Sequence, residues 1–266
     1  RVDFRSDAIH HQSPVIDSAM GDNMTEPRVR TGRRRIYLMR HGHVDYFGAE
    51  AQRSKRLDDV RLTPLGREQA RAAGLALNGI AFDRIVHSAL PRTEQTTRIV
   101  CSCLADTNVE PDEQPDFAEI GTGKPLALSH RNELAARLAF YFDNAAAPGA
   151  RLFDGGEAFE DAFRRATSAL ENMLREDDWT TALVVAHEGI NRLILGWATG
   201  AGLTAVRAFE QDFACVNILD FDVVTDPENS NRTKIERTII KAINLTPYNF
   251  LKTVMTLTSF EALHGA

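Results

Sequence analysis

The sequence predicts an α/β fold in which helices cover both faces of a mostly parallel central sheet. Short apolar runs bounded by polar residues alternate with longer amphipathic segments, as in chains that alternate strands and helices. The 266 residues, 43% hydrophobic and 26% charged, have the composition of a globular domain that can bury a full core. The sequence has no internal repeat and no linker between domains. These observations favour one domain with three layers, α/β/α.

The predicted strands are short apolar runs between polar or charged residues. The first, 36–39, follows an arginine-rich stretch, and 182–186 is the clearest buried strand in the chain. A polar turn at 226–231 separates the last two. In chain order, the predicted strands cover residues 36–39, 85–86, 182–186, 216–223 and 238–245.

The predicted helices are recognised by their start signals and by the spacing of their apolar residues. Thr63 is an N-cap residue followed by Pro64 at the first helical position, and Pro91 begins the next helix. The segment 157–175 repeats apolar residues at helical spacing. The predicted helices cover residues 64–78, 91–104, 129–143, 157–175 and 190–197, with a small-residue loop at 145–156.

Charge and cysteine content limit the class of protein. The formal net charge of −6 argues against a dedicated nucleic-acid binder, which usually has a basic domain. Three cysteines cannot all pair within one chain, which favours a reducing compartment and a cytoplasmic location. No apolar run is long enough for a transmembrane helix, and residues 1–27 lack the apolar core of a secretory signal. The oligomeric state is left open, with a homodimer as one option.

Residues 1–32 are predicted to be an N-terminal extension that is poorly ordered or partly vector-derived, and residues 33–266 to be the single domain. Arginines at positions 28, 30, 33, 34 and 35 lead into the first strand. The simpler interpretation of these arginines is a solvated approach to the strand. The alternative is a patch that attracts anions beside a functional site.

Polar side chains stand at three predicted strand ends, where a buried strand does not need them. Arg40 and His41 follow the first strand, Arg92 lies in the first turn of a helix, and His187 ends the strand 182–186. Because ligands of open α/β sheets bind at the carboxyl ends of strands, these side chains are expected to converge. A guanidinium fork fits phosphate oxygens, and a neutral histidine can act as a nucleophile or donate a hydrogen bond.

A carboxyl group would also be needed to protonate a leaving oxygen. Glu119 is the candidate, with Glu113 and Glu133 as neighbouring alternatives. Ser88 either positions the nearby arginine or caps the helix, and the cap is the favoured interpretation. A metal site around His41 and His43 is a weaker alternative because no carboxylate or cysteine stands at a familiar ligand spacing. We therefore predict neither a metal nor another cofactor.

Five blocks of sequence, in order between about residues 35 and 221, resemble the histidine phosphatase superfamily, also called the phosphoglycerate mutase-like family. An isolated Arg-His-Gly is unspecific, whereas five ordered blocks are not. The blocks are RHG at 40–42, LTPLGREQA at 62–70, SALPRTEQT at 88–96, GGE at 155–157 followed by Arg164, and VVAHEG at 184–189. The resemblance implies a phosphoglycerate mutase-like fold with a cap insertion around 121–156.

The resemblance also implies a mechanism, a metal-independent phosphomonoester hydrolysis. His41 would be the nucleophile and form a phosphohistidine. Arg40, Arg92 and His187 would bind the phosphate and stabilise the transferring group, and Glu119 would be the proton donor. The implied substrate is a phosphorylated small molecule or a phosphoprotein.

Departures from the family pattern favour a phosphatase over a mutase. Mutases of the family have an asparagine several residues after the Arg-His-Gly, where this chain reads HVDYF at 43–47. They also continue from the acidic residue with Arg-His-Tyr-Gly, whereas Glu119 is followed by IGTG at 120–123. The second Glu-Gly pair of the cobalamin-pathway phosphatases is absent as well. The alternatives are a phosphoglycerate mutase-type phosphoryl transferase and a catalytically silent phosphate-binding scaffold.

Overall fold

The computed structural model describes residues 30–49, 53, 57–105, 108–123, 140–176, 178–226 and 229–258. The strands of this part of the chain are β1 (Arg30–Arg40), β2 (Arg84–His87), β3 (Asp112–Glu113), β4 (Thr181–Ala186), β5 (Val216–Asp226) and β6 (Asn229–Leu245). Its α-helices are α1 (Pro64–Leu77), α2 (Pro91–Cys101), α3 (Phe159–Arg175) and α4 (Glu188–Ala198). Short 3-10 turns connect several of these elements.

The six strands form one sheet in the order β3-β2-β4-β1-β5-β6. The pairings β1 with β4, β4 with β2, and β2 with β3 are parallel. The pairings β1 with β5 and β5 with β6 are antiparallel, so β5 alone is reversed among these six strands. The predicted α/β fold with a mostly parallel sheet is confirmed. The carboxyl ends of β1, β2 and β4 therefore lie at the same edge.

Helices cover both faces of the sheet because its central strands are apolar on both sides. In β1, Ile36 and Leu38 pack in the core beneath α3 and α4. The alternating residues Tyr37 and Met39 pack in the other core, beneath α1 and α2. Strand side chains alternate between faces, which explains why the run 36–39 is apolar throughout.

Most predicted elements are present, with changed boundaries. The Thr63 hydroxyl accepts a hydrogen bond from the Gly66 amide at 3.1 Å, so its prediction as the N-cap of α1 is confirmed. The strands β5 and β6 extend through most of the polar turn predicted at 226–231. The cross-strand ladder outweighs the low strand propensity of that sequence.

Two predicted segments fall partly outside the described residues. For the helix at 129–143, the residues up to 139 lie outside them, and residues 140–143 form turns rather than a helix. The cap insertion at 121–156 shares this gap. Residues 1–29 also lie outside, and β1 already begins at Arg30, so the boundary after residue 32 stays a prediction.

The arginines of β1 do not form the anion-attracting patch considered as an alternative. Arg33 binds Asp222 through two hydrogen bonds of 2.7 and 3.2 Å, and Arg35 binds Asp220 in the same way. The buried Arg34 donates to the backbone oxygen of Trp179 at 2.7 Å. Arg33 and Arg35 are thus paired with acidic residues on β5, although Asp222 also binds Arg237, and Arg34 is enclosed. Among the helices of the described ranges, none has the length and apolar character to cross a membrane.

Candidate active site

The ends of β1, β2 and β4 bring the predicted polar residues together. Arg40 is the last residue of β1, His41 follows it, and His187 stands between β4 and α4. The imidazole rings of His41 and His187 lie 5.2 Å apart, edge to face. With Arg92 from the first turn of α2, these side chains are at most 3% exposed. The structure therefore encloses two imidazoles and two guanidiniums at one edge of the sheet.

His41 is held in one tautomer by its own backbone. Its Nδ1 lies 2.8 Å from the Gly42 carbonyl oxygen, which can only accept, so Nδ1 bears the hydrogen and Nε2 bears the lone pair. Burial lowers the pKa of His41 well below 6.5, and the charges of Arg92 and Arg40 lower it further. The neutral imidazole is the form with a nucleophilic nitrogen.

The glycines of the first two sequence blocks allow their backbones to touch. A Cβ atom on Gly42 would lie 2.2 Å from the Gly66 carbonyl oxygen, and one on Gly66 would lie 2.1 Å from the oxygen of His43. The Gly42 amide also donates to the Thr96 hydroxyl at 3.1 Å. The loop after β1 is thus fixed against both α1 and α2, which orients His41.

The Arg40 guanidinium is oriented by groups that sequence reasoning missed. Its Nη1 donates to the Gln211 carbonyl oxygen and lies 2.9 Å from Glu188 Oε2. The Phe213 ring lies 3.9 Å from Arg40 Cζ. Glu188 also binds the buried Arg192 at 2.7 Å. Glu188 follows a predicted site residue directly, whereas no sequence signal indicated Gln211 or Phe213.

The Arg92 guanidinium is fixed on one side only. Its Nη1 donates to the backbone oxygens of Leu57 and Asp58 at 3.1 and 3.2 Å. Its Nε has no hydrogen-bond partner among the described residues, and the same is true of Arg40 Nε. Each guanidinium therefore keeps a buried N–H group that could donate a hydrogen bond to an anion.

His187 is held by a chain of hydroxyl groups. Its Nε2 lies 2.6 Å from Ser88 Oγ, which lies 2.9 Å from Thr93 Oγ1. The Thr93 hydroxyl donates to the Leu90 carbonyl oxygen at 2.8 Å, so it can only accept from Ser88. Ser88 must then accept from His187, which places the hydrogen on Nε2.

This chain leaves Nδ1 of His187 as the second ring nitrogen, with no partner among the described residues. Burial lowers the pKa of His187 well below 6.5, with a further contribution from Arg92. The interpretation of Ser88 as a helix cap is wrong. Helix α2 begins after Leu90 and has no side-chain cap, because the Ser88 hydroxyl is engaged with His187.

Glu119 lies in the loop after residues 115–117, and its side chain contacts the first turn of α4, next to His187. Its Oε2 accepts from the Gly189 amide at 3.2 Å, and its Oε1 accepts from the Ile120 amide at 3.0 Å. A Cβ atom on Gly189 would lie 2.5 Å from Glu119 Oε1, which explains the glycine there. Of the two alternatives, Glu113 is exposed on β3, and Glu133 lies outside the described residues.

The loop that bears Glu119 is fastened by the fourth sequence block, through Arg165. Glu157 binds Arg165 with two hydrogen bonds, of 2.9 and 2.8 Å, and accepts from the Gly121 amide. Arg165 also donates to the carbonyl oxygen of Ala118 at 3.0 Å. Arg164, the arginine named with this block in the sequence analysis, is exposed and pairs with Asp161 instead.

The remaining histidines of this region bind local groups. His43 Nδ1 lies 2.9 Å from the Thr63 hydroxyl, and His87 Nδ1 accepts from the Ala89 amide at 3.1 Å. His43 thus lies bound in the loop after β1, and His87 is bound at the end of β2. Across the described ranges, no three His, Cys, Asp or Glu side chains are grouped so that they could hold a metal ion.

Comparison with known proteins identifies a family and several relatives. The profile of the histidine phosphatase superfamily (branch 1) matches residues 36–225. The adenosylcobalamin/alpha-ribazole phosphatase of Escherichia coli is 25% identical over 193 residues, which cover 71% of this chain and 90% of that protein. The human mitochondrial serine/threonine-protein phosphatase PGAM5 is 31% identical over 61% of this chain and 49% of its own length.

The wheat 2-carboxy-D-arabinitol-1-phosphatase is 27% identical over 71% of this chain but only 37% of its own length. The chain thus spans less than half of two of these relatives. Solved structures share the fold. A mycobacterial glucosyl-3-phosphoglycerate phosphatase, in complex with inorganic phosphate, has a TM-score of 0.61 at 19% identity, covering 80% of this chain and 98% of that one. The Shigella flexneri alpha-ribazole phosphatase has 0.57 at 20% identity, covering 79% and 96%.

Proposed function

Because the chain belongs to the histidine phosphatase superfamily, we propose that it is a metal-independent phosphomonoester hydrolase with a phosphohistidine intermediate on His41. The observation that carries the proposal is the enclosure of two neutral imidazoles with two guanidiniums at one sheet edge. Phosphoryl transfer needs little covalent chemistry from a protein beyond a nucleophile, positioning and stabilisation of spread negative charge.

In the first step, Nε2 of His41 attacks phosphorus and the bond from phosphorus to the leaving oxygen breaks. The neutral tautomer fixed by Gly42 is the reactive form, so no proton has to leave His41 before attack. Arg40 and Arg92 bind the phosphoryl oxygens through their Nε–H groups, which have no hydrogen-bond partner among the described residues. Glu119 donates a proton to the leaving oxygen.

In the second step, water attacks the phosphohistidine. Glu119, now a carboxylate, accepts the proton of this water, and the bond from phosphorus to Nε2 breaks. Inorganic phosphate leaves, and the lone pair returns to His41. His187 contacts the phosphoryl group through Nδ1, its ring nitrogen without a partner among the described residues. Because the neutral ring has its hydrogen on Nε2, Nδ1 takes up a proton when the negatively charged phosphoryl group binds, and it then donates to a phosphoryl oxygen.

The substrate proposed is a phosphorylated small molecule or a phosphoprotein, in the cytoplasm. The relatives include phosphatases named for both kinds of substrate, which supports the wide class. The three free thiols, Cys101, Cys103 and Cys215, support a reducing compartment. Hydrolysis is preferred to mutase transfer because HVDYF at 43–47 and IGTG at 120–123 replace the residues expected in mutases.

The proposal is tested by hydrolysis of p-nitrophenyl phosphate in EDTA, with His41→Ala as the variant. We expect turnover by the wild type and none by the variant. After brief mixing with a phosphate-labelled substrate, the wild type should hold a label that is stable in alkali and lost in acid, as a phosphohistidine is.

Four outcomes would contradict the proposal. Equal turnover by His41→Ala would show that His41 is not the nucleophile. Loss of turnover in EDTA would show that the mechanism depends on a metal. No turnover on a broad panel of phosphomonoesters would favour the scaffold alternative. Transfer between phosphoglycerates without release of phosphate would favour the mutase.

A further inference from the structure

The chain continues past the family match, and the part that follows packs against the site. The family profile ends at residue 225. Strand β6 lies beyond it, and residues 246–258 form turns after the strand. Three side chains of this region, Asn244, Tyr248 and Lys252, contact the loop at 210–215, which precedes β5.

These contacts converge on two loop residues. Asp212 Oδ2 accepts from Lys252 Nζ at 2.7 Å and from Asn244 Nδ2 at 2.9 Å. The Asp212 amide donates back to Asn244 Oδ1 at 2.8 Å, and the Tyr248 hydroxyl donates to the Phe213 carbonyl oxygen at 2.7 Å. Asp212 is only 7% exposed, so its carboxylate depends on these partners.

The loop at 210–215 in turn fixes both Arg40 and His41. It supplies the Gln211 carbonyl oxygen that accepts from the Arg40 guanidinium and the Phe213 ring on which that guanidinium lies. The Ala214 amide donates to the His41 carbonyl oxygen at 3.0 Å. The Phe213 ring is also 5.9 Å from the His41 ring. A displaced loop would therefore misplace both residues.

We propose that Asn244, Tyr248 and Lys252 are positioning residues that hold Arg40 and His41 in place through the loop at 210–215. The inference rests on the proposed function and extends the active-site framework beyond the family match. The three residues act through the loop rather than by touching substrate. Their loss should weaken the binding of phosphate and of the transition state, because catalysis by positioning is sensitive to shifts of about 1 Å.

The principal variant is Lys252→Met, which removes the ammonium from Asp212 and keeps most of the aliphatic stem. We expect kcat/KM for p-nitrophenyl phosphate to fall about tenfold, and the dissociation constant of inorganic phosphate, from calorimetry, to rise several-fold. Lys252→Arg should restore most of both, since a guanidinium can also bind Asp212. The matched control is Lys234→Met, because Lys234 pairs with Glu236 on the exposed surface of β6.

Tyr248→Phe is the second variant, because it deletes one hydrogen bond to the loop and retains the ring. It should shift both quantities in the same direction by about two- to fivefold. The inference is overturned if both variants bind phosphate as the wild type does. It is also overturned if their losses merely follow a fall in Tm and Lys252→Arg does not restore them. Wild-type turnover reports separately on the proposed function, and phosphate affinity reports on the positioning residues even without turnover.

Discussion

Arg33 and Arg35, in the first half of β1, are bound differently from Arg40 and Arg92, which lie at the edge of the sheet. Arg33 and Arg35 are partly exposed, and each binds one carboxylate of β5 through two hydrogen bonds. Arg40, at the end of β1, and Arg92, at the start of α2, are buried. These two bind mainly backbone oxygens, and each retains an Nε donor without a partner among the described residues.

The difference shows that the charge of an arginine does not by itself make the side chain available to bind an anion. A carboxylate that binds a guanidinium in bidentate fashion satisfies its donors and cancels its charge, so such a pair has little left for an anion. A carbonyl oxygen orients the guanidinium and leaves the positive charge in place. Arg40 faces Glu188, which also binds Arg192, and Arg192 in turn binds Glu210. Arg92 binds backbone oxygens instead, so its positive charge is kept at the sheet edge, although the whole chain is acidic.

The largest effect on stability is expected at Glu188. Glu188→Gln removes the charge between two buried guanidiniums, so that Arg40 loses its carboxylate partner while Arg192 keeps only Glu210. Breaking a buried ion pair in this way costs about 3–5 kcal/mol of unfolding free energy. The more exposed counterpart is Asp222→Asn, which removes the carboxylate that binds Arg33 and Arg237, and it should lower the unfolding free energy, measured by urea unfolding, by much less. Similar unfolding midpoints for the two variants would contradict the distinction.

The largest effect on activity is expected at Arg92. Arg92→Gln removes a buried donor and charge where the phosphoryl group is proposed to bind, and should lower kcat/KM about 10²- to 10³-fold. Arg33→Gln is the matched control, since Arg33 is occupied by Asp222, and its kcat/KM should stay within about twofold of the wild type. Steady-state hydrolysis of p-nitrophenyl phosphate measures both. Equal losses would mean that general surface charge, rather than the buried site, attracts substrate.

The sequence predicted which polar residues meet at the sheet edge far better than it predicted the groups around them, for a physical reason. Arg40, His41 and His187 could be located because they directly follow apolar strands, and the geometry of a parallel sheet brings strand ends together. The role of Ser88 was missed because its partner, His187, is 99 residues away. Gln211 and Phe213 were missed because they act through a backbone oxygen and a ring face, which leave no mark in composition or spacing.

The arginines at the start of β1 are a second case in which sequence alone does not identify the partners of a side chain. A run of basic residues indicates positive charge, but its partners Asp220 and Asp222 become neighbours only through the antiparallel register of β1 and β5. Which arginines are neutralised is decided by strand pairing. The proximity of five arginines in the chain therefore says little about the electrostatic field they produce.

A smaller effect on activity is expected at Ser88, an uncharged residue that orients His187. Ser88→Ala leaves His187 Nε2 without its partner at 2.6 Å, so the ring loses its fixed tautomer. We expect kcat to fall about tenfold, in line with the loss of one buried hydrogen bond. The control is Ser102→Ala at the exposed end of α2, where the hydroxyl binds only a local backbone oxygen. Unchanged kcat for Ser88→Ala would show that His187 needs no such orientation.

The smallest and most specific effect concerns the pKa of His41. Burial holds this pKa below 6.5 and the positive charge of Arg92 lowers it further, so Arg92→Gln should raise it. At a given mildly acidic pH a larger fraction of His41 would then be protonated and unable to attack phosphorus. Arg33→Gln should leave this pKa in place, because Arg33 is paired with Asp222 and is not among the groups that shift it. Titration of the imidazole by NMR measures the pKa directly, independently of substrate ionisation. A pKa that moves equally in both variants would show that the two sets of arginines act on the site as one field. A shift confined to Arg92→Gln would assign the electrostatic part of the lowered pKa, beside the larger effect of burial, to the buried arginines.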